Sequence, residues 1–132
     1  MTSSHGSRLK VEPVSVLVCE SGRRWCDAAR RFVGPFQHAQ TPDAHEESSM
    51  IFSVQSAEHS KVRAMMAGHE AVVILWELSP DNSPVLALTI AQIGVGRGDV
   101  LQLAAIDNPP NRQTNDLTMR IMELGVSAIV RS

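Results

Sequence analysis

The stretch Glu70-Ala-Val-Val-Ile-Leu-Trp-Glu-Leu-Ser-Pro80 constrains this chain more than any other. It is short, β-branched and apolar on both faces. Such a run reads as a strand buried on both sides, the central strand of a parallel sheet covered by helices. It stops at Ser79-Pro80-Asp81-Asn82, a cluster of turn formers. Open α/β sheets build their sites at the carboxyl ends of such strands. The functional question is what chemistry that end carries.

The rest of the chain supplies partners for this strand. Val14 to Val18 is a first strand, followed by a turn at Cys19-Glu20-Ser21-Gly22 with Ser21 as a helix N-cap. Trp25, Ala28, Ala29 and Phe32 recur at helical spacing, with Arg23, Arg24, Asp27, Arg30 and Arg31 opposite, and Gly34-Pro35 stops the helix. Residues 37–49 are polar and read as an exposed loop. Met50 to Val54 is a second strand. Ser56 caps a helix running to about Ala67, with Val62, Met65 and Met66 inward and Gly68 closing it. Ser83-Pro84 starts the next helix, through Leu86, Ile90 and Ile93, and Gly94-Val-Gly-Arg-Gly98 ends it. Val100 to Ala105 is a fourth strand. Pro109 and Pro110 mark a loop, Asn115 or Asp116 opens a helix with Leu117, Ile121 and Leu124 on one face, and Val126 to Val130 is a fifth strand.

The expected fold is therefore α/β, a three-layer α/β/α domain over residues 13–132. Right-handed crossovers make its five-stranded sheet parallel, and 2-1-3-4-5 is the natural strand order. Residues 1–12 read as a disordered N-terminal lead. Met1-Thr-Ser-Ser-His-Gly-Ser7 has no apolar core, so it is not a secretory signal.

Several function classes are disfavoured. The formal net charge is -2, and nucleic-acid or membrane-surface binding needs a concentrated positive field. No apolar run approaches a membrane span. Cys19 and Cys26 do not make a disulfide framework, which points to a reduced, cytoplasmic protein. With no second cysteine pair and the histidines in loops, a structural zinc site is not expected, and a buried thiol is the plainer reading. The glycines at 94, 96 and 98 follow a helix and precede a strand, the reverse of a phosphate-binding loop. His38, His45 and His59 read as solvated, and His69 as a helix C-terminal partner. No metal or cofactor is expected.

The residues resemble the receiver domain of two-component response regulators. The resemblance covers about Val14 to Ser132. It rests on Val-Leu-Val-Cys-Glu20, on Val-Val-Ile-Leu-Trp-Glu-Leu-Ser-Pro80, and most on Arg120-Ile-Met-Glu-Leu-Gly-Val-Ser-Ala-Ile-Val-Arg131. It implies a flavodoxin-like fold and a phosphorylation pocket, but one with its reactive positions replaced. The family's phosphate-accepting aspartate, four residues before the proline, falls on Trp76, whose indole has no nucleophilic oxygen. Glu77 points to the opposite face unless the strand slips by one residue. The acidic pair that holds magnesium falls on Cys19-Glu20, a weak set for a hard cation. The hydroxyl of strand four falls on Ala104, and the lysine of strand five on Arg131. The family's last helix is missing after strand five.

The resemblance thus implies a non-phosphorylatable, receiver-like interaction module of bacterial signal transduction, not an enzyme. Val126, Ala128 and Val130 alternate with Ser127, Ile129 and Arg131, so the uncovered last strand should offer apolar area to a protein partner or to a second copy. The alternatives are a small-ligand sensor or a small enzyme at the same edge, built from Glu20, Trp76, Glu77, Ala104 and the Asp107 loop. Trp25 and Trp76 read either as packing residues or as aromatic anchors.

Overall fold

The computed structural model describes residues 13–33, 51–106 and 112–131. The lead at 1–12, the loop at 37–49 with His38 and His45, and Asp107 lie outside the described residues. The elements are β1 (Val14–Cys19), α1 (Arg24–Val33), β2 (Phe52–Ser56), a 3-10 turn (His59–Lys61), α2 (Val62–Met66), β3 (Val72–Leu78), α3 (Ser83–Gly96), β4 (Leu101–Ile106), α4 (Arg112–Leu124) and β5 (Ala128–Arg131).

All five strands are parallel, in the order β2-β1-β3-β4-β5. The β3 run is central, as its two apolar faces require. Its residues alternate between two cores. Val72, Ile74, Trp76 and Leu78 join Leu17 and Ala104 under Val62 and Met66 of α2, Leu86, Ile90 and Ile93 of α3, and Leu117 and Ile121 of α4. Val73 and Leu75 face the other way with Val14, Val16, Val18, Leu103, Ala105 and Val130. Among the described residues, the helical members of that second cluster are Trp25 and Cys26 of α1. Full burial of each large apolar side chain contributes about 1.5–3 kcal/mol, so the α2–α4 side carries most of the stabilisation.

Three local expectations need correction. Ser56 ends β2 instead of capping a helix, because it stays in register with Val18 while Ala57 N–H donates to the Val18 carbonyl at 3.0 Å. The short 3-10 turn and the five residues of α2 come only after it. The cap of α3 is Asn82, not Ser83, with Pro84 in the first turn. α4 begins at Arg112, ahead of Asn115. Gly68 does close α2, with φ +85, a conformation open to glycine at little cost. At that end of the sheet Arg97 donates to the carbonyls of His69 at 3.1 Å and Met66 at 3.5 Å, fastening the α3–β4 turn to the α2–β3 turn.

Candidate functional site

A cleft of about 440 Å3 opens over the carboxyl ends of β2, β1 and β3. This is where the chain direction switches between β1 and β3, the place an open parallel sheet leaves a crevice. Its walls are Cys19 at the end of β1 with Glu20 and Ser21 after it, Ala57 to Ser60 after β2, Glu77 of β3, and Asn82, the cap of α3, with Val85 and Leu86 of its first turn.

Of the residues expected in the pocket, Cys19, Glu20 and Glu77 line this cleft. Trp76, Ala104 and Arg131 do not. Trp76 and Ala104 are fully buried on the α3 side of the sheet. Trp76 Nε1 donates to Gln102 Oε1 at 2.8 Å, so the indole is a core group and does not fill the cleft mouth. Arg131 is exposed at the far edge strand and donates to Thr118 Oγ1 at 3.2 Å. Glu77 reaches the cleft without a register slip, since β1 and β3 pair with Cys19 opposite Trp76. Trp25 packs within the α1 cluster, with the Arg24 guanidinium 4.9 Å from its ring centroid.

The two carboxylates of the β1 and β3 ends are both engaged. Glu20 Oε1 accepts from the Trp25 N–H at 2.8 Å and Oε2 from the Cys26 N–H at 2.7 Å. It therefore satisfies two of the orphan donors that every helix start exposes, the role the spacing had suggested for Ser21. Ser21 instead turns toward Glu77, whose Oε1 accepts from its N–H at 3.2 Å and its hydroxyl at 3.4 Å. The β3–α3 turn is closed by a reciprocal pair: Ser79 N–H donates to Asn82 Oδ1 at 2.8 Å and Asn82 N–H to Ser79 Oγ at 3.2 Å. Asn82 Nδ2 also donates to the Glu77 carbonyl at 3.0 Å.

Cys19 is buried beside these carboxylates. Burial first, and then the charges of Glu77 and Glu20, push its thiol up to about 11. At neutral pH it is a protonated thiol and a poor nucleophile. Among the described residues no group of His, Cys, Asp and Glu is arranged to hold a metal ion, and no helix is long and apolar enough to cross a membrane.

Sequence reasoning passed over two features. Gln102 is a lone polar residue in an apolar strand, and its burial was legible in principle as a demand for partners. The Ala57–Ser60 wall was hidden by the helix expected to start at Ser56. No protein-family profile, curated protein or solved structure matches this chain.

Proposed function

We propose that this chain is a receiver-like interaction module that takes no phosphoryl group and acts by contact in signal transduction. One observation carries the reading. At the carboxyl edge of the sheet, the position resembling the family's phosphate acceptor is Trp76, turned into the core and bonded to Gln102, while Glu20 is committed to the α1 N-terminus. The free thiols of Cys19 and Cys26 agree with a reducing, cytoplasmic setting.

The partner surface in this reading is the α1 side of β3, β4 and β5. Leu101 is 42% exposed there, Ala128 is exposed, and Val73, Leu103 and Val130 are half-buried. They are adjacent in register, with Val73 beside Leu101 and Leu103 beside Ala128. Glu77 stands at the carboxyl end of this face, and the apolar strip below it suits an apolar helix.

Incubation with acetyl phosphate and magnesium, read by intact mass, should give no phosphoryl adduct on the folded chain. An acid-labile adduct would falsify the non-phosphorylatable reading. Affinity capture should then return a protein that binds the wild type and is lost with Leu101→Glu. Equal capture by both would remove the sheet face from the proposal.

A second reading, a small-ligand sensor, is favoured by the cleft itself. Its volume lies in the range of small-molecule pockets, roughly 300–1,000 Å3, and it sets Ala57, Val85 and Leu86 against Glu58, His59, Ser60 and Asn82. A ligand that raises the melting temperature of the wild type but not of Glu77→Ala supports it.

A further inference from the structure

Helix starts expose backbone N–H donors, and at the carboxyl edge of an open parallel sheet those donors hold anionic ligands. Around this cleft they are already taken. Trp25 and Cys26 at the start of α1 donate to Glu20 at 2.8 and 2.7 Å. The Ser21 N–H donates to Glu77 Oε1 at 3.2 Å. At the start of α3 the Ser83 N–H donates to the Ser79 carbonyl at 3.0 Å, and the Val85 and Leu86 N–H groups donate to the Asn82 carbonyl at 3.1 and 3.2 Å. Pro84 between them has no N–H. The chain thus supplies its own acceptors at the places on α1 and α3 where a phosphate or carboxylate would dock.

What the cleft offers a ligand is acceptors and negative charge. Among the described residues its lining holds Glu20, Glu58 and Glu77 and neither lysine nor arginine, and His59 is the one basic side chain. Glu77 takes its described side-chain hydrogen bonds at Oε1 alone, which leaves Oε2 to accept. Glu58 is exposed beside it on the β2 side. Burial, and then the charges of Glu77 and Glu20, push the neighbouring Cys19 thiol up to about 11, so an entering anion meets a repelling field. The same walls carry Ala57, Val85 and Leu86. A bare ion gains nothing from that apolar area, and the described carboxylates are not gathered round one point as a metal requires. An ammonium on an apolar stem uses both halves: three N–H donors for carboxylate oxygens, and methylenes for the wall.

We infer that the cleft takes a small organic cation, a primary ammonium on a short apolar stem, with Glu77 and Glu58 as its acceptors. This rests on the small-ligand reading of the cleft and names the class of ligand for it.

Calorimetric titration of the full chain with hexylamine, hexanol and hexanoate at pH 7 tests it. The three probes share a stem and differ in the charge of the head. Hexylamine, cationic at this pH, should bind at least about tenfold more tightly than either of the others, and added salt should weaken it. Ethylamine, with less stem to lay on the wall, should bind more weakly than hexylamine. Glu77→Gln and Glu58→Gln keep the shape and remove the charge, and each should weaken hexylamine by about threefold or more. Asp116→Asn, which removes an exposed carboxylate of α4 outside the lining, should leave its affinity unchanged. Hexanol or hexanoate binding as tightly as hexylamine overturns the inference and leaves the small-ligand reading standing. Hexylamine binding that neither glutamine variant weakens, or that Asp116→Asn weakens equally, also overturns it. No binding by any probe at millimolar concentration removes the inference and the small-ligand reading together.

Discussion

The indole Nε1 of Trp76 donates to Gln102 Oε1 at 2.8 Å, inside the core between the sheet and α3. Gln102 Nε2 donates onward to the Ile90 carbonyl at 3.1 Å, so one buried amide ties β3, β4 and α3 together. A pair of this kind is costly to break from one side, because the surviving group keeps its desolvation cost. Trp76→Phe strands the Gln102 oxygen and opens a gap, and should lower the unfolding free energy by about 2–4 kcal/mol. Gln102→Leu strands the indole N–H and should cost about 1–3 kcal/mol. The double variant should cost less than the two together. Urea unfolding followed by circular dichroism measures all three, and strict additivity would show that the pair is not coupled.

Glu20 should matter to stability more than to chemistry. Its two oxygens hold the first-turn amides of Trp25 and Cys26. Glu20→Ala leaves both donors to water at the N-terminus of α1, and should cost about 1–2 kcal/mol, as loss of a helix cap does. Glu20→Gln keeps an acceptor but not the charge that the helix dipole favours, and should fall between. Hydrogen exchange at the Cys26 amide reports this directly. Unchanged protection in Glu20→Ala would mean that the cap contributes little.

Cys19 supplies the pH dependence. Its thiol is raised from 9.0 to about 11, by burial and then by Glu77 and Glu20. Between those values the unfolded chain has lost its thiol proton and the folded chain has kept it. The folded state then binds more protons, so this group's stabilisation is fully present below pH 9 and is lost as pH rises toward 11. Alkylation of Cys19 by iodoacetamide at pH 8 should accordingly be slow. Glu77→Gln removes one of the opposing charges and should accelerate it. Peptide mapping of the labelled site distinguishes Cys19 from Cys26, and a rate that does not respond to Glu77→Gln would contradict the electrostatic cause.

Much of this arrangement was legible in the residues. The β3 run is apolar on both faces, which requires a helix layer on each side, and the parallel order follows from the connections. Strand alternation also set Trp76 and Glu77 on opposite faces. Which of the two met the cleft was not legible. That depends on α3 and Gln102, the latter 26 residues away, and local pattern does not reach so far. Ser56 misled for a related reason. A serine before a helical run favours a cap, but ladder pairing with β1 overrode that preference and carried β2 two residues further. Glu20 was read for its charge, and its length, which lets it reach forward to the α1 amides of Trp25 and Cys26, carried no signal in the pattern.

Ser15 offers the opposite kind of test, a substitution that should help. It sits in β1 at 3% exposure, and its backbone N–H donates to the Ala71 carbonyl at 2.9 Å. Its hydroxyl has no hydrogen-bond partner. Burying such a group unpaired costs on the order of 1–3 kcal/mol. Ser15→Ala removes the oxygen, keeps the Cβ and leaves the ladder untouched, so only a small volume is lost. The expected result is a higher urea midpoint with an unchanged slope, corresponding to about 1 kcal/mol of added stability. Destabilisation by more than about 0.5 kcal/mol would instead mean that the hydroxyl is satisfied in solution by a bound water.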